Sequence, residues 1–269
     1  MNDYRKKLYS IVSSYKSLAV AFSGGVDSTL LAKVSLDVHA DNLVLMHVAS
    51  PFTPASESEF VEQWAKEHNA RLVNLELNPL DDPQIRLNCH RRCYYCKKLI
   101  MEHVIAEAAK MGISDVADGS NIDDLKDYRP GMEATKELNI KHPLIGAGFT
   151  KDMIREMAKD MELPNWHKPA SACLASRVPY DTPLEQEMLE KIDAAESFLL
   201  AEGIRGSRVR AIENSLAKIE VNPSDFNTVV SNHEKIVNYF TELGFEDILL
   251  DLKGYRTGSL NPKNIKNEK

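Results

Sequence analysis

A strand that runs into a glycine pair and out of it into a helix is the feature that most narrows what this chain can become. Ser17–Phe22 is short and apolar, Ser23-Gly24-Gly25-Val26-Asp27-Ser28 follows, and Val26, Leu30, Leu31, Val34 and Val38 then recur at the spacing of one helical face. Glycines at such a junction let the backbone approach an anion and expose N–H groups. The helix dipole adds partial positive charge at the same point, and Ser23 and Ser28 add hydroxyl donors. No Gly-Lys-Ser or Gly-Lys-Thr follows, so this is not a Walker loop, and the Gly-x-Gly-x-x-Gly spacing is missing too. A capped tight turn with no ligand is the plainer reading. A six-residue pattern at the end of the first strand favours phosphate binding over it.

The same rhythm continues along the chain. Leu43–Val48 and Arg71–Leu75 are predicted strands, Val116 and Ala117 the core of a fourth, and Ser56–Asn69 a helix with Phe60, Val61 and Trp64 inward. This alternation implies the α/β class: a Rossmann-like parallel sheet covered by helices on both faces, with ligands bound beyond the carboxyl ends of the strands. Lys151–Met161 is one more short helix, after which Pro164, Pro169, Pro179 and Pro183 punctuate a seam between two domains. Beyond the seam, Leu184–Ala201 reads as a long amphipathic helix. Val209–Ile212 and Ala217–Val221 read as a hairpin joined by Glu213-Asn214-Ser215, Pro223 to about Leu243 as a second helix, and Ile248–Leu252 as a last strand. The expected organisation is an α/β domain over 1–180, a small α+β domain over 181–260, and a polar, disordered tail over 261–269.

Length and charge bound the function. The 269 residues suffice for one large domain, or for an ordinary one plus a small one. A net charge of -7 offers no basic field over the whole surface, which counts against a nucleic-acid partner and leaves room only for a local basic patch. No uncharged apolar run is long enough to span a bilayer, and the opening MNDYRKKLYS leads into no apolar signal core, so a cytoplasmic protein without a membrane partner is expected. Three of the four cysteines crowd into Cys89-x-x-x-Cys93-x-x-Cys96, which in a reducing compartment points to metal or redox chemistry rather than disulfides.

The glycine segment matches the SGGxDS signature of the PP-loop ATP pyrophosphatases. That resemblance implies that Ser23, Gly24, Gly25, Asp27 and Ser28 hold the β,γ-pyrophosphate of ATP, and that cleavage falls between the α and β phosphates. It also implies that Asp27 ligates the magnesium on the leaving pyrophosphate. Further segments narrow the branch: Arg92-Cys93-Tyr94-Tyr95-Cys96-Lys97, Asp118-Gly119-Ser120-Asn121, Asp127-Tyr128-Arg129-Pro130-Gly131, Lys168 to Tyr180, and Arg256 to Asn261. Together these resemble the LarE sulfur transferases over almost the whole chain, the cysteine segment most specifically. The family makes the nickel-pincer nucleotide cofactor of lactate racemase, converting the carboxylates of pyridinium-3,5-biscarboxylic acid mononucleotide to thiocarboxylates. Its members assemble into homo-oligomers.

By that resemblance Cys173 is the sulfur-handling cysteine, and the family offers two mechanisms for it. In one, Cys173 attacks the acyl-adenylate and gives up its own sulfur. In the other, three cysteines hold a 4Fe–4S cluster that delivers an added sulfide. Sacrificial members lack the Cys-x-x-Cys that Cys93 and Cys96 form here, so a cluster on Cys93, Cys96 and Cys173 is expected, fed by sulfide or another sulfur donor. Zinc, with His90 near, or plain burial of Cys93 and Cys96 stays open, and Cys89 is left out of the cluster.

Arg208 and Arg210 alternate along a predicted strand and share one face, and by position they resemble the family's substrate-binding arginines. A solvated strand face is the alternative. Glu196 lies where the family has a functional glutamate, and Arg177, close after Cys173, is a candidate phosphate contact. The scattered His47, His103, His142 and His233 read as structural or solvated. Three other functions share parts of this pattern. A tRNA thiolase would bind tRNA in a salt-sensitive way, an amide-forming ligase would work without cysteines, and a non-enzymatic adenine-nucleotide module would release no pyrophosphate.

Overall fold

The computed structural model describes residues 2–125, 130–168, 173–213 and 215–256. Asp127-Tyr128-Arg129, Pro169-Ala170-Ser171-Ala172, Asn214 and the tail from Thr257 lie outside the described residues. In chain order the elements are α1 (Asn2–Ser13), β1 (Leu18–Ala21), α2 (Val26–His39), β2 (Leu43–Ala49), α3 (Ala55–Glu67), β3 (Leu72–Glu76), α4 (Pro83–Arg86), α5 (Arg92–Lys110) and β4 (Val116–Ala117). Then come α6 (Pro130–Glu137), α7 (Pro143–Ala147), α8 (Lys151–Asp160), α9 (Gln186–Ala201), β5 (Arg208–Ile212), β6 (Leu216–Glu220), α10 (Phe226–Ser231), α11 (His233–Glu242) and β7 (Asp247–Leu250). Two compact units result, Met1–Pro79 with Arg91–Ser171, and Leu80–His90 with Ala172–Lys269.

The first unit is the α/β one. Its sheet has the order β3-β2-β1-β4 with every pair parallel. Because side chains alternate along a strand, β1 and β2 divide their residues between two cores. Leu18, Val20, Leu43 and Leu45 pack with Leu8 and Val12 of α1, Leu30 and Leu31 of α2, Trp64 of α3 and Ile154 of α8. Ala19, Val44 and Met46 face the other way, onto Met101, Val104 and Ala108 of α5. Helices therefore cover both faces, as the strand–helix rhythm requires. Each fully buried leucine stabilises this arrangement by roughly 1.5–3 kcal/mol. Phe60, expected inward, is only partly buried at the edge of the first core.

The second unit joins a helical layer to a three-stranded sheet of order β5-β6-β7, antiparallel between β5 and β6 and parallel between β6 and β7. Met188, Leu189, Ile192, Ala195 and Leu199 form the buried stripe of α9. The segment 80–90 belongs to this unit although its neighbours in sequence belong to the other: Asn88 Nδ2 donates to Pro179 O at 2.7 Å and Leu184 N to Arg86 O at 2.8 Å. The expected single helix from Pro223 to Leu243 is instead a short 3-10 turn, α10 and α11, interrupted at Asn232. There the side-chain Nδ2 donates to Thr228 O at 3.0 Å, the local competition for backbone groups by which asparagine ends helices.

Candidate functional site

The loop between β1 and α2 is built as its sequence demands. Gly24 has φ +78, and a Cβ there would stand 3.0 Å from Glu57 Oε2 and 3.2 Å from Phe60 and Val61, so only glycine fits without strain. Gly25 is extended (φ -70, ψ 156) and caps α2. Its carbonyl accepts from Thr29 N at 2.9 Å and from Ser28 Oγ at 3.0 Å. Ser23 and Ser28 bring their hydroxyls together at 3.2 Å. A second glycine, Gly119 after β4, lies against the loop: a Cβ on it would be 2.7 Å from Ser28 N. The loop after β4 therefore closes onto the first turn of α2 at the carboxyl ends of adjacent parallel strands, where α/β sheets bind their ligands.

A cavity of about 340 Å³ opens at this junction, within the range of small-molecule sites. Ser23, Gly25, Asp27 and Ser28 line it, together with His47, Lys97, Asp118 and Asp124. Asp27, in the first turn of α2, is ion-paired with Lys151 at the start of α8. Asp118 is 3% exposed and receives Lys97 Nζ at 2.9 Å, His142 Nδ1 at 2.8 Å and Ser120 N at 3.1 Å. Burial alone would raise its pKa. The Lys97 charge and the His142 hydrogen bond outweigh that and hold the carboxyl well below the usual carboxylate range. His47, buried behind the loop, bonds Phe22 O through Nδ1 at 3.0 Å and Ser58 Oγ through Nε2 at 2.9 Å. The four sequence-predicted loop residues that line the cavity are joined there by Lys97 and Asp118; His142, read from the sequence as structural or solvated, bonds Asp118, and Lys151 pairs with Asp27. An oxygen-seeking cation such as magnesium suits the carboxylate of Asp27.

Cys93 and Cys96 lie in the first turn of α5, in the same unit, three residues apart and so neighbours on the helix surface. Cys93 is exposed, with Arg92 Nη2 at 3.8 Å from its sulfur, while Cys96 is partly buried. Thiols that are accessible and next to a guanidinium suit iron–sulfur ligation. Among the described residues, no group of three His, Cys, Asp or Glu side chains is gathered as a metal ion would need, and Cys173 belongs to the second unit. Cys89 also belongs to the second unit; its thiol donates to Gln84 O at 3.6 Å.

The second unit brings the other predicted residues together. Arg177, 1% exposed, grips Glu196 with two hydrogen bonds of 2.8 Å and also reaches Cys173 O at 3.2 Å. Glu196 Oε1 takes Val209 N of β5 at 2.9 Å. Arg210 grips Glu220 Oε2 at 2.7 and 3.0 Å and Ser176 O at 2.9 Å, and Lys218 holds the other oxygen of Glu220 at 2.9 Å. Arg208 donates to Ser207 O at 2.7 Å and lies 5.3 Å from the centre of the Tyr255 ring. Burial, and then the neighbouring Arg177, lower its pKa. Arg208 and Arg210 are 8% and 5% exposed, so the solvated-face alternative does not hold. Three guanidiniums against the carboxylates of Glu196 and Glu220 make this a positively biased, buried cluster, suited to an anion.

No protein-family model matches the chain. Curated relatives do match it, over nearly all of its length. Pyridinium-3,5-bisthiocarboxylic acid mononucleotide synthase of Lactiplantibacillus plantarum is 34% identical over 259 residues, 95% of this chain and 94% of its own. The chain belongs to the LarE family. Two further relatives are uncharacterised proteins, one of Synechocystis, 37% identical over 90% of this chain and 91% of its own, and one of Methanocaldococcus jannaschii, 31% identical over 90% and 92%. The match to the synthase runs through both units. Among the described residues, no helix is long and apolar enough to cross a membrane.

Proposed function

We propose that this chain is an ATP-dependent sulfur transferase that converts the carboxylates of pyridinium-3,5-biscarboxylic acid mononucleotide to thiocarboxylates. The observation that carries the reading is the match over nearly the whole chain to a synthase whose name states the bisthiocarboxylic acid product. The cavity lined by Ser23, Gly25, Asp27 and Ser28 supports the ATP part, since the anion-facing loop and carboxylate are what a magnesium pyrophosphate requires.

The chemistry follows from the weakness of a carboxylate as an electrophile. A substrate carboxylate oxygen attacks the α-phosphorus of ATP, the bond to the bridging oxygen of the β-phosphate breaks, and pyrophosphate departs from the loop. The acyl carbon then carries AMP as a leaving group, and a sulfur nucleophile displaces it. Lys97 lines the cavity with positive charge, Lys151 is paired with Asp27 beside it, and Asp27 would hold the magnesium. Arg208 and Arg210 would receive the phosphate or the second carboxylate of the mononucleotide. A 4Fe–4S cluster, held by Cys93, Cys96 and Cys173, would supply the sulfur as sulfide.

Asp27→Ala tests the nucleotide half. Asp27 is not part of the apolar core, so the variant should keep its melting temperature within a few degrees while pyrophosphate release is abolished. Pyrophosphate release at the wild-type rate would refute the role given to the loop.

A further inference from the structure

The carbonyl groups of the glycine pair need an account of their own. A loop that accepts a pyrophosphate must offer N–H groups, and a carbonyl turned toward the anion would repel it. Here the carbonyls of Gly24 and Gly25 are both engaged by donors. Asn165, in the turn that follows α8, donates from Nδ2 to Gly24 O at 2.9 Å and to Thr29 Oγ1 at 2.9 Å. Thr29 Oγ1 passes its own proton to Gly25 O at 2.9 Å. The amide orientation is fixed by chemistry, because a carbonyl only accepts and the group facing Gly24 O must be the NH₂. Asn165 is 4% exposed and Thr29 fully buried, so neither bond competes with water. The turn is itself pinned, by Trp166 N on Leu163 O at 3.2 Å and Lys168 N on Asn165 O at 3.0 Å.

We propose that Asn165 is a positioning residue of the nucleotide site. Through Gly24 O directly, and through Thr29 to Gly25 O, it sets the loop in its anion-accepting form before any nucleotide arrives. The role rests on the ATP reading above but acts at one remove from the nucleotide. Asn165 is 136 residues from Thr29 in sequence, and no motif announces it.

Two variants and two readouts test this. Asn165→Asp is isosteric and replaces the NH₂ with an acceptor facing Gly24 O; Asn165→Ala removes both bonds. In the nucleotide-free protein, hydrogen exchange of the amides from Gly24 to Ser28 should quicken in both variants, while exchange in β2 and α5 stays at the wild-type rate. The KM for ATP should rise roughly ten-fold or more, and more for Asp than for Ala because the carboxylate adds negative charge beside the phosphates. The KM for the mononucleotide should stay within about two-fold. Thr29→Val combined with Asn165→Ala should raise the ATP KM little beyond the larger single effect, since both break one chain of bonds. Loop exchange at the wild-type rate, or equal rises in both KM values, would overturn the proposal. Wild-type protein that neither binds ATP nor releases pyrophosphate would instead refute the nucleotide reading, and the exchange measurement would still decide whether Asn165 sets the loop.

Discussion

Arg177 and Glu196 show what a single buried pair costs and what it holds. Two hydrogen bonds of 2.8 Å join them, Glu196 also caps Val209 N, and the guanidinium has almost no contact with water. Glu196→Ala would leave that guanidinium buried beside Arg208, so stability measured by urea denaturation should fall by about 3–5 kcal/mol. Glu196→Gln, which keeps the shape and the acceptor for Val209 N, should lose less. Asp118 gives a pH-dependent counterpart. Its folded pKa is depressed, so its stabilising contribution is fully present above the unfolded carboxylate value near pH 4 and is lost as pH falls from there toward the folded value. Asp118→Asn should therefore flatten the fall of stability below about pH 4 in acid titrations; an unchanged slope would show that its partners do not stabilise the ionised form. Neither pair was legible in the sequence. Residues 97, 118 and 142, and likewise 27 and 151, are far apart in sequence, on α5, after β4, before α7, on α2 and on α8, and meet only in the folded unit. Glu196 stood out only through resemblance to a family, whereas Arg208 and Arg210 also stood out by sharing one face of a strand.

At the scale of elements, legibility followed the strength of periodic burial. The strands β1, β2 and β3 and the helices α2, α3, α8 and α9 announce themselves because their apolar positions repeat at two or at three to four residues. α1 did not: its charged and polar residues hide a stripe in which Leu8 and Val12 are fully buried. The division between α10 and α11 was hidden too, because it depends on which backbone group Asn232 takes. β5 was recognised as a strand with two arginines on one face, but their burial and the pairing of Arg210 with Glu220 of β6 are tertiary facts. Those partners separate two predictions. Arg210 neutralises Glu220, which has no exposure, so Arg210→Ala should lower stability as well as substrate affinity. Arg208 donates to Ser207 O and lies over the Tyr255 ring, and Arg208→Ala should weaken the anionic mononucleotide by about 1.5–3 kcal/mol and leave ATP affinity unchanged. Isothermal titration with each ligand checks this; equal losses for both ligands would remove Arg208 from substrate binding.

For the molecule as a whole, the outstanding question is the source of the sulfur, and the distribution of thiols sets its test. Cys93 and Cys96 belong to the first unit and Cys173 to the second, with chain between them that forms the end of the sheet and part of the wall of the cavity at the glycine loop. If the three thiolates hold a cluster, protein purified without oxygen should be brown and contain about four iron atoms per chain. Serine at any of the three positions should then lower iron content and sulfur transfer together. ATP cleavage should survive each change, because Ser23, Gly25, Asp27 and Ser28 line the cavity at the start of α2 and the cysteines are not among its lining residues. With sulfide supplied, product should exceed one equivalent per chain. Cys89→Ser should change none of these, since the Cys89 thiol bonds Gln84 O within the second unit. A colourless but active protein would reverse the assignment if its mass fell by that of hydrogen sulfide after one round and only Cys173 were required. Cys173 would then lose its own sulfur, and Cys93 and Cys96 would be structural residues in the first turn of α5.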